Sequence, residues 1–197
     1  TITAEEVTAG VEAGLVTEDT TIATLDGDTD KMVVQFSATG LDGVFQQYDS
    51  FAAAHANESV TLSVVQENPG ANRDPKALNV SASSSDITFV EGDGTYFLVI
   101  DSDSAEWEQQ NDDGTLDGES EDIAAGNEFN ATVTVDDDRL FGGDDEASES
   151  ASATFEYVEG TLELDSTPVE VTAASGQAIA GTSSWATGTE FTVRARS

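Results

Sequence analysis

Hydrophobic residues in this chain recur mostly at every second position, in short runs separated by turn-forming residues. In the run 59–66, Val, Leu and Val occupy positions 60, 62 and 64, so they share one face of an extended strand, and Thr and Ser fall on the other face. Glycine and acidic residues punctuate the sequence between runs, as in "EGDG" at 91–94. About ten runs predict strands. They span 31–38, 59–66, 77–82, 86–90, 95–101, 129–135, 151–158, 161–164, 169–172 and 190–195.

Helical patterns are confined to two short stretches. Thr3 followed by Glu6 forms a capping-box pattern, and apolar residues then recur at positions 7, 11 and 15, which predicts a short amphipathic helix. A second short helix is predicted within "SFAAAHA", with Ser50 as its N-cap. No helix-length segments alternate with the strands. The sequence therefore predicts an all-β protein, an antiparallel β-sandwich (Ig-like or jelly-roll-like) with one or two short helices, followed by a small C-terminal β module.

The chain divides near residue 160. We expect a β-sandwich domain over 1–160 and a C-terminal β segment over 161–197, which Pro168 and several glycines divide into two or three strands. So few strands do not make a stable sheet alone, so the segment must pack on the first domain or be completed by a neighbouring domain or subunit. Within the first domain, the acidic stretch 102–127 is predicted to form surface loops, with Trp107 as an anchor.

The charge of the chain is strongly negative and evenly distributed. It carries 40 Asp and Glu against 6 Lys and Arg, a formal net charge of −34. This excludes non-specific nucleic-acid binding, which requires cationic contacts to phosphate. Self-repulsion among carboxylates destabilises a compact state, but the Debye length falls to about 3 Å in molar salt. The composition therefore favours a protein adapted to high salt, the alternative being an acidic interaction domain.

No segment predicts membrane insertion. The longest uninterrupted apolar run, 97–100, is far too short to span a bilayer. The sequence opens on Thr1 without a signal-peptide pattern, which leaves open whether it is a processed protein or an excerpt of a longer one.

Catalytic motifs are missing from the sequence. There is no Cys, and His55 is the only His. No Gly-x-Ser-x-Gly elbow accompanies it, so His55 is interpreted as a surface or half-buried structural residue and no catalytic residue is assigned.

One acidic segment is a candidate calcium loop. Within 111–122, Asp113, Asp117 and Glu119 offer carboxylate ligands, and the two glycines of the segment permit tight turns. The alternative is a solvated, salt-adapted loop. Calcium is the one possible cofactor that the sequence indicates.

Three Asn-x-Ser/Thr sequons are present, at Asn57, Asn79 and Asn130. They are candidate N-glycosylation sites if the protein is exported. Asn57 falls in a predicted loop, whereas Asn79 and Asn130 fall in or beside strands and must face outward to accept a glycan.

The C-terminal stretch 169–197 resembles the repeated signature of haloarchaeal cell-surface glycoproteins, the modules known as BGTF surface domains. Trp185 stands where that signature usually has Leu, and Thr187 where it has Pro. The resemblance implies export, a β-sandwich fold, N-linked glycans and a structural role at the cell surface. The positions that match the signature are Gln177, Ile179, Gly181, Thr182, Gly188, Thr189, Thr192, Val193, Arg194, Arg196 and Ser197.

The leading interpretation is a non-enzymatic, extracellular structural module that associates with copies of itself or with adjacent domains in a surface layer, stalk or filament. The run 190–195 would place Phe191 and Val193 on one face and Arg194 and Arg196 on the other. These four residues are the candidate assembly residues, because they are predicted to lie on an edge strand of an incomplete β module, which a neighbouring strand could complete.

The sequence is compatible with two other functions. An adhesion or glycan-binding module would need exposed aromatic residues to cluster, and the candidates are Tyr48, Phe51, Trp107 and Phe141. A secreted hydrolase with an acidic site is the third interpretation.

The composition predicts that folding requires high salt. Circular dichroism should show β structure in molar NaCl or KCl and lose it on dilution into low-salt buffer, because screening of the carboxylates is then removed. An unchanged β signal and melting temperature in dilute buffer would contradict the salt-adapted interpretation.

Overall fold

The computed structural model describes residues 4–14, 20–26, 28–48, 50–92, 94–137, 139–140, 148–166, 175, 177–192 and 194. Within these residues the chain forms short helices and many strands. The helices are α1 (Ala4–Glu12), α2 (Leu41–Phe45) and α3 (Phe51–Ala56). The strands are β1 (Thr21–Leu25), β2 (Asp28–Thr29), β3 (Met32–Phe36), β4 (Val60–Gln66), β5 (Lys76–Leu78), β6 (Ile87–Glu91), β7 (Tyr96–Ile100), β8 (Trp107–Gln110), β9 (Leu116–Ser120), β10 (Glu128–Val135), β11 (Glu149–Glu159), β12 (Leu162–Leu164) and β13 (Gly181–Ser183).

The strands form one large and two smaller sheets. The large sheet has eight strands in the order β2-β1-β11-β10-β4-β5-β8-β9, the second has the order β3-β7-β6, and the third contains β12 and β13. Neighbouring strands are antiparallel, except that β1 runs parallel to β11. The prediction of an all-β, sandwich-like fold is confirmed, with one parallel pair that the sequence pattern did not indicate.

The main core lies between the large sheet and the three-stranded sheet. Alternate residues of β4 and β10 point into it, as the period-2 pattern requires. Leu98 and Ile100 of β7 enter the same core from the opposite sheet. All five residues of β7 are buried, because α1 covers the other face of its sheet, where Val7 packs with Val90, Phe97 and Val99.

The helices close the sandwich. α1 and α3 are the two predicted helices, and the Ser50 hydroxyl caps α3 by accepting the amide N–H of Ala53 at 3.2 Å. α2 was not predicted, since its five-residue sequence "LDGVF" contains Gly and is too short to show a helical period. Leu41 and Val44 of α2 are nonetheless buried in the main core.

An aromatic group fills one end of this core. The rings of Trp107 and Phe129 lie 5.0 Å apart, and the ring of Tyr157 stands edge-on to Phe129 at 5.6 Å. Ser102 satisfies the polar atoms of the group, since its hydroxyl lies 3.0 Å from the Tyr157 hydroxyl and its carbonyl accepts the Trp107 indole N–H at 3.3 Å. Burial raises the pKa of the Tyr157 hydroxyl.

The stretch 102–127 is more ordered than predicted. It was expected to form surface loops, but it contains β8 and β9, a hairpin that extends the large sheet beyond β5. β9 is polar and almost wholly exposed, so it has no apolar face that a pattern could reveal. Trp107 does anchor the stretch, as a buried residue of β8 rather than of a loop.

The C-terminal segment also departs from its predicted strands. The strand predicted at 161–164 is present as β12, Leu162–Leu164. It pairs with β13, Gly181–Ser183, which was not predicted. A strand was expected over 190–195, whereas the described residues 190–192 and 194 lie outside any strand. A strand requires a neighbouring strand for its backbone hydrogen bonds, and no described strand lies beside this run. The predicted strand at 169–172, together with Val193 and Arg196, lies outside the described residues.

The packing predicts a strong contrast between two Phe to Ala substitutions. Phe129 is fully buried and Phe191 is 42% exposed. Phe129→Ala should lower the free energy of unfolding by about 3–5 kcal/mol, because it leaves a cavity among aromatic rings. Phe191→Ala should change it by less than about 0.5 kcal/mol. Denaturant unfolding in molar NaCl measures both, and similar effects of the two substitutions would contradict the assigned core.

Candidate glycosylation and assembly surface

The C-terminal segment contacts the large sheet through a few specific interactions. The backbone N–H of Ala186 donates to the Asp30 carboxylate at 2.7 Å. The indole of Trp185 lies directly on Gly160, where a Cβ atom would overlap the ring. Burial raises the pKa of the Asp30 carboxyl, and the hydrogen bond from Ala186 partly offsets that effect. Gly160 thus leaves room for the Trp185 side chain, which is larger than the Leu that the family signature usually has at this position.

Exposed apolar side chains concentrate in this segment. Four of the large hydrophobic residues that are exposed among the described residues follow Gly160. Every described residue of β12 and β13 is exposed, so this two-stranded sheet has no covered face. Exposed apolar side chains mark an interaction site when they form one contiguous patch. The four residues are Leu162 45%, Leu164 36%, Ile179 47% and Phe191 42% exposed.

The few cations are mostly engaged within the molecule. Lys31 pairs with Asp101, Lys76 with Glu121 at 3.8 Å, and Arg139 with Asp137 at 2.5 Å. The Arg139 guanidinium lowers the pKa of the buried Asp137 carboxyl, mainly by hydrogen bonding to it.

Two arginines remain without an ion pair in the described part of the chain, Arg73 and Arg194, and both are exposed. Arg194 is one of the predicted assembly residues. It is therefore available to carboxylates outside this chain.

The three sequon asparagines differ in accessibility. Asn57 is exposed at the C-cap of α3, with its side-chain N–H₂ donating to the Ala53 carbonyl at 2.8 Å. Asn79 is half-buried, and its N–H₂ donates to the Glu108 carboxylate at 2.6 Å.

Asn130 lies on the polar outer face of the large sheet, half-buried within β10. Its side-chain carbonyl lies 3.0 Å from the hydroxyl of Thr132, the third residue of the same sequon. Asn130 therefore faces outward, as glycosylation of a strand residue requires.

The proposed calcium ligands do not converge. The Asp113 carboxylate accepts the hydroxyl and amide hydrogens of Thr115 at 2.6 and 3.0 Å, which lowers its pKa, and Asp117 accepts the amide N–H of Glu119 at 2.8 Å. Gly114 and Gly118 adopt positive φ, as the predicted tight turns require. Among the described residues no group of three or more metal-binding side chains exists. The calcium prediction for Asp113, Asp117 and Glu119 stays a prediction without geometric support.

His55 has a structural role in the described contacts. Its Nδ1 atom accepts the amide N–H of Leu62 at 3.3 Å, and its ring lies 5.9 Å from that of Phe51. Burial lowers the pKa of His55, so it is neutral at pH 7. A neutral His that accepts a backbone hydrogen bond fits the structural interpretation.

The aromatic residues named for glycan binding do not form an exposed cluster. Phe51 and Trp107 are buried in the core. Tyr48 is half-buried, with its hydroxyl 2.8 Å from that of Ser59. Phe141 lies outside the described residues.

These features together are those of a strongly acidic, β-sandwich-like module with an exposed sequon at Asn57. Over 98% of its length the chain is 40% identical to a cell surface glycoprotein of Haloferax gibbonsii, of which it covers 21%. It is also 31% identical to cell surface glycoproteins 2 and 1 of Haloarcula hispanica, over 85% of the chain in each case. No family model and no solved structure matches it.

The chain is therefore similar to haloarchaeal cell-surface glycoproteins, and its location is extracellular, at the cell surface. It spans about a fifth of the length of these curated relatives. Within the part of the chain that the structure describes, no helix has the length and apolar character needed to cross a membrane.

The structure predicts unequal use of the sequons. Mass spectrometry of native glycopeptides should find a higher occupancy at Asn57, which is exposed, than at Asn79, which is half-buried with its side chain held by the Glu108 carboxylate. Asn57→Gln should therefore remove a larger share of the glycan than Asn79→Gln. Equal occupancy at both sites would contradict this ranking.

Proposed function

We propose that this chain is a non-enzymatic structural module of a haloarchaeal surface glycoprotein. In this proposal, residues 1–160 form the sandwich, and residues 161–197 form the segment that associates with copies of the chain or with adjacent domains. Asn57, Asn79 and Asn130 carry the N-linked glycans. The observation that carries the proposal is the set of exposed apolar side chains in the C-terminal segment, together with Arg194, which has no ion pair among the described residues.

Several features support a structural rather than an enzymatic role. Every buried side-chain N or O atom of the described residues has a hydrogen-bond partner in the backbone or in another side chain. The single His holds the backbone of a neighbouring strand. The names of the similar proteins describe cell surface glycoproteins and mention no reaction.

The exposed segment suits association in high salt. Charge pairs on a surface contribute little there because they are screened, whereas burial of apolar area is favoured by salts that are excluded from the protein surface. Leu162, Leu164, Ile179 and Phe191 would then supply most of the binding energy, and the arginines would fix the orientation.

A glycan-binding function is the weaker alternative. A polar cleft of about 290 Å³ is lined by Gln66, Asn68, Arg73 and Gln109, among others. However, its amides are already engaged, since Gln66 donates to Asn68 at 3.2 Å and Gln109 donates to Glu121 at 2.6 Å. Glycan-array binding that is lost on Arg73→Ala would favour this alternative over the structural role.

The association is tested by a paired substitution in the C-terminal segment. Phe191→Ser combined with Arg194→Glu should raise the dissociation constant for self-association at least about tenfold, because it removes apolar contact and reverses a charge. Sedimentation velocity or light scattering over a range of concentrations in molar NaCl provides the measurement.

The matched control is Val11→Ser combined with Arg73→Glu. Val11 is 40% exposed, and Arg73 is the other arginine without an ion pair among the described residues. This control should associate like the unmodified chain. A chain that stays monomeric at every concentration would overturn the self-association part of the proposal.

A further inference from the structure

Among the described residues, strand β11 is paired on one side only along residues 149–155, which is more than half of its length. On one side it pairs with β10 from Glu149 to Glu156 without interruption. On the other side β1 accompanies only Glu156 to Glu159. Among the described residues, no strand lies beside residues 149–155 on that side. The side chains of 149–154 are all exposed.

The direction of the backbone groups along this edge follows from the hydrogen bonds at its end. The N–H of Glu156 donates to the Thr20 carbonyl at 2.8 Å, on the side away from β10. Backbone groups of a strand alternate in direction with a period of two residues. Ser150, Ser152 and Thr154 therefore direct their N–H and C=O groups to the open side, and Ala151 and Ala153 direct theirs to β10.

This edge lacks the features by which sheets usually prevent edge-to-edge association. Native edge strands are commonly protected by Lys, Pro or a β-bulge. Residues 150–154 are Ser, Ala, Ser, Ala and Thr, and their register with β10 shows no bulge. Ala151 and Ala153 fall on the core side of the sheet with Tyr157, yet both are exposed, so the sandwich does not cover this end.

We propose that this open edge accepts residues 190–197 of a second copy of the chain as an added β-strand. This inference rests on the proposed function and names the acceptor for its C-terminal segment. The incoming strand would bond to the outward groups of Ser150, Ser152 and Thr154. Its apolar residues, Phe191 foremost, would cover the exposed core side at Ala151 and Ala153.

Charge complementarity favours residues 190–197 as the strand that binds this edge. The acceptor strand β11 carries Glu149, Glu156 and Glu159 and no cation. Residues 190–197 carry two of the six Lys and Arg of the whole chain and a single Glu, so they form a cationic run with strand-like alternation in a protein of net charge −34. Pairing of two β11 edges would instead bring like charges together, which is unfavourable.

A proline substitution tests the edge without breaking the fold. In Ser152→Pro the lost N–H is one that points to the open side, so the pairing with β10 stays intact. This variant should keep the β signal and the unfolding midpoint of Ser152→Thr, which retains the N–H. Its dissociation constant for self-association in molar NaCl should nevertheless be at least about tenfold higher.

A mixing experiment identifies donor and acceptor. Ser152→Pro keeps the donor segment, and the double variant Phe191→Ser/Arg194→Glu keeps the open edge. Each should be monomeric alone, and the mixture should form a 1:1 heterodimer and nothing larger, as measured by sedimentation velocity. If both variants lose association and the mixture stays monomeric, the donor–acceptor assignment is overturned.

Amide hydrogen exchange gives a readout that does not depend on the proline variant. On association of the unmodified chain, the amides of Ser150, Ser152 and Thr154 should gain protection, while those of Ala151 and Ala153 are protected in monomer and assembly alike. Two results would overturn the assignment of β11 as the acceptor and leave the proposed function standing. One is association without protection at these three amides, and the other is undiminished association of a folded Ser152→Pro variant. A monomeric unmodified chain overturns both.

Discussion

The structure depends on the burial of one face of β10. Its odd-numbered residues from Phe129 to Val135 lie under the three-stranded sheet, and its even-numbered residues face outward. Both neighbours, β4 and β11, follow it in continuous register. A slip of one residue would turn Phe129 to solvent and Asn130 into the core. The hydrophobic pattern of this one strand therefore fixes the register of the central strands of the large sheet.

Much of this architecture could be predicted from local pattern, and the failures have physical causes. β4, β7 and β10 show an apolar face or a continuous apolar run, and they were found where predicted. The hairpin of β8 and β9 was missed because Leu116 is the one large apolar residue of β9, so the strand shows no apolar face and depends on backbone pairing. The strand predicted at 190–195 shows the reverse case, since it has the pattern of a strand but no described partner.

The candidate site was only partly predictable for the same reason. The sequons are local motifs and are visible in the sequence, but the restraint on Asn79 comes from Glu108, which is distant in sequence. The contact of Trp185 with Gly160 likewise joins residues on different elements. Among the described residues, the open edge of β11 ends where the parallel pairing with β1 begins, and that alignment is a property of the tertiary structure. The alternating Ser and Ala of 150–153, which lack large apolar side chains, are the local sequence feature that marks this edge.

The position of α1 has a consequence for how the chain is made. Residues 4–12 are synthesised before the rest of the described fold, but Val7 packs on a sheet that includes β6 and β7, which end at residue 100. Likewise β1 awaits β11, more than a hundred residues later. α1 can therefore dock only when about half of the chain has been made, and β1 only when most of it has. Such long-range contacts slow folding, so the nascent chain remains open for longer than a protein built from local contacts, and its acidic residues help to keep it soluble during that interval.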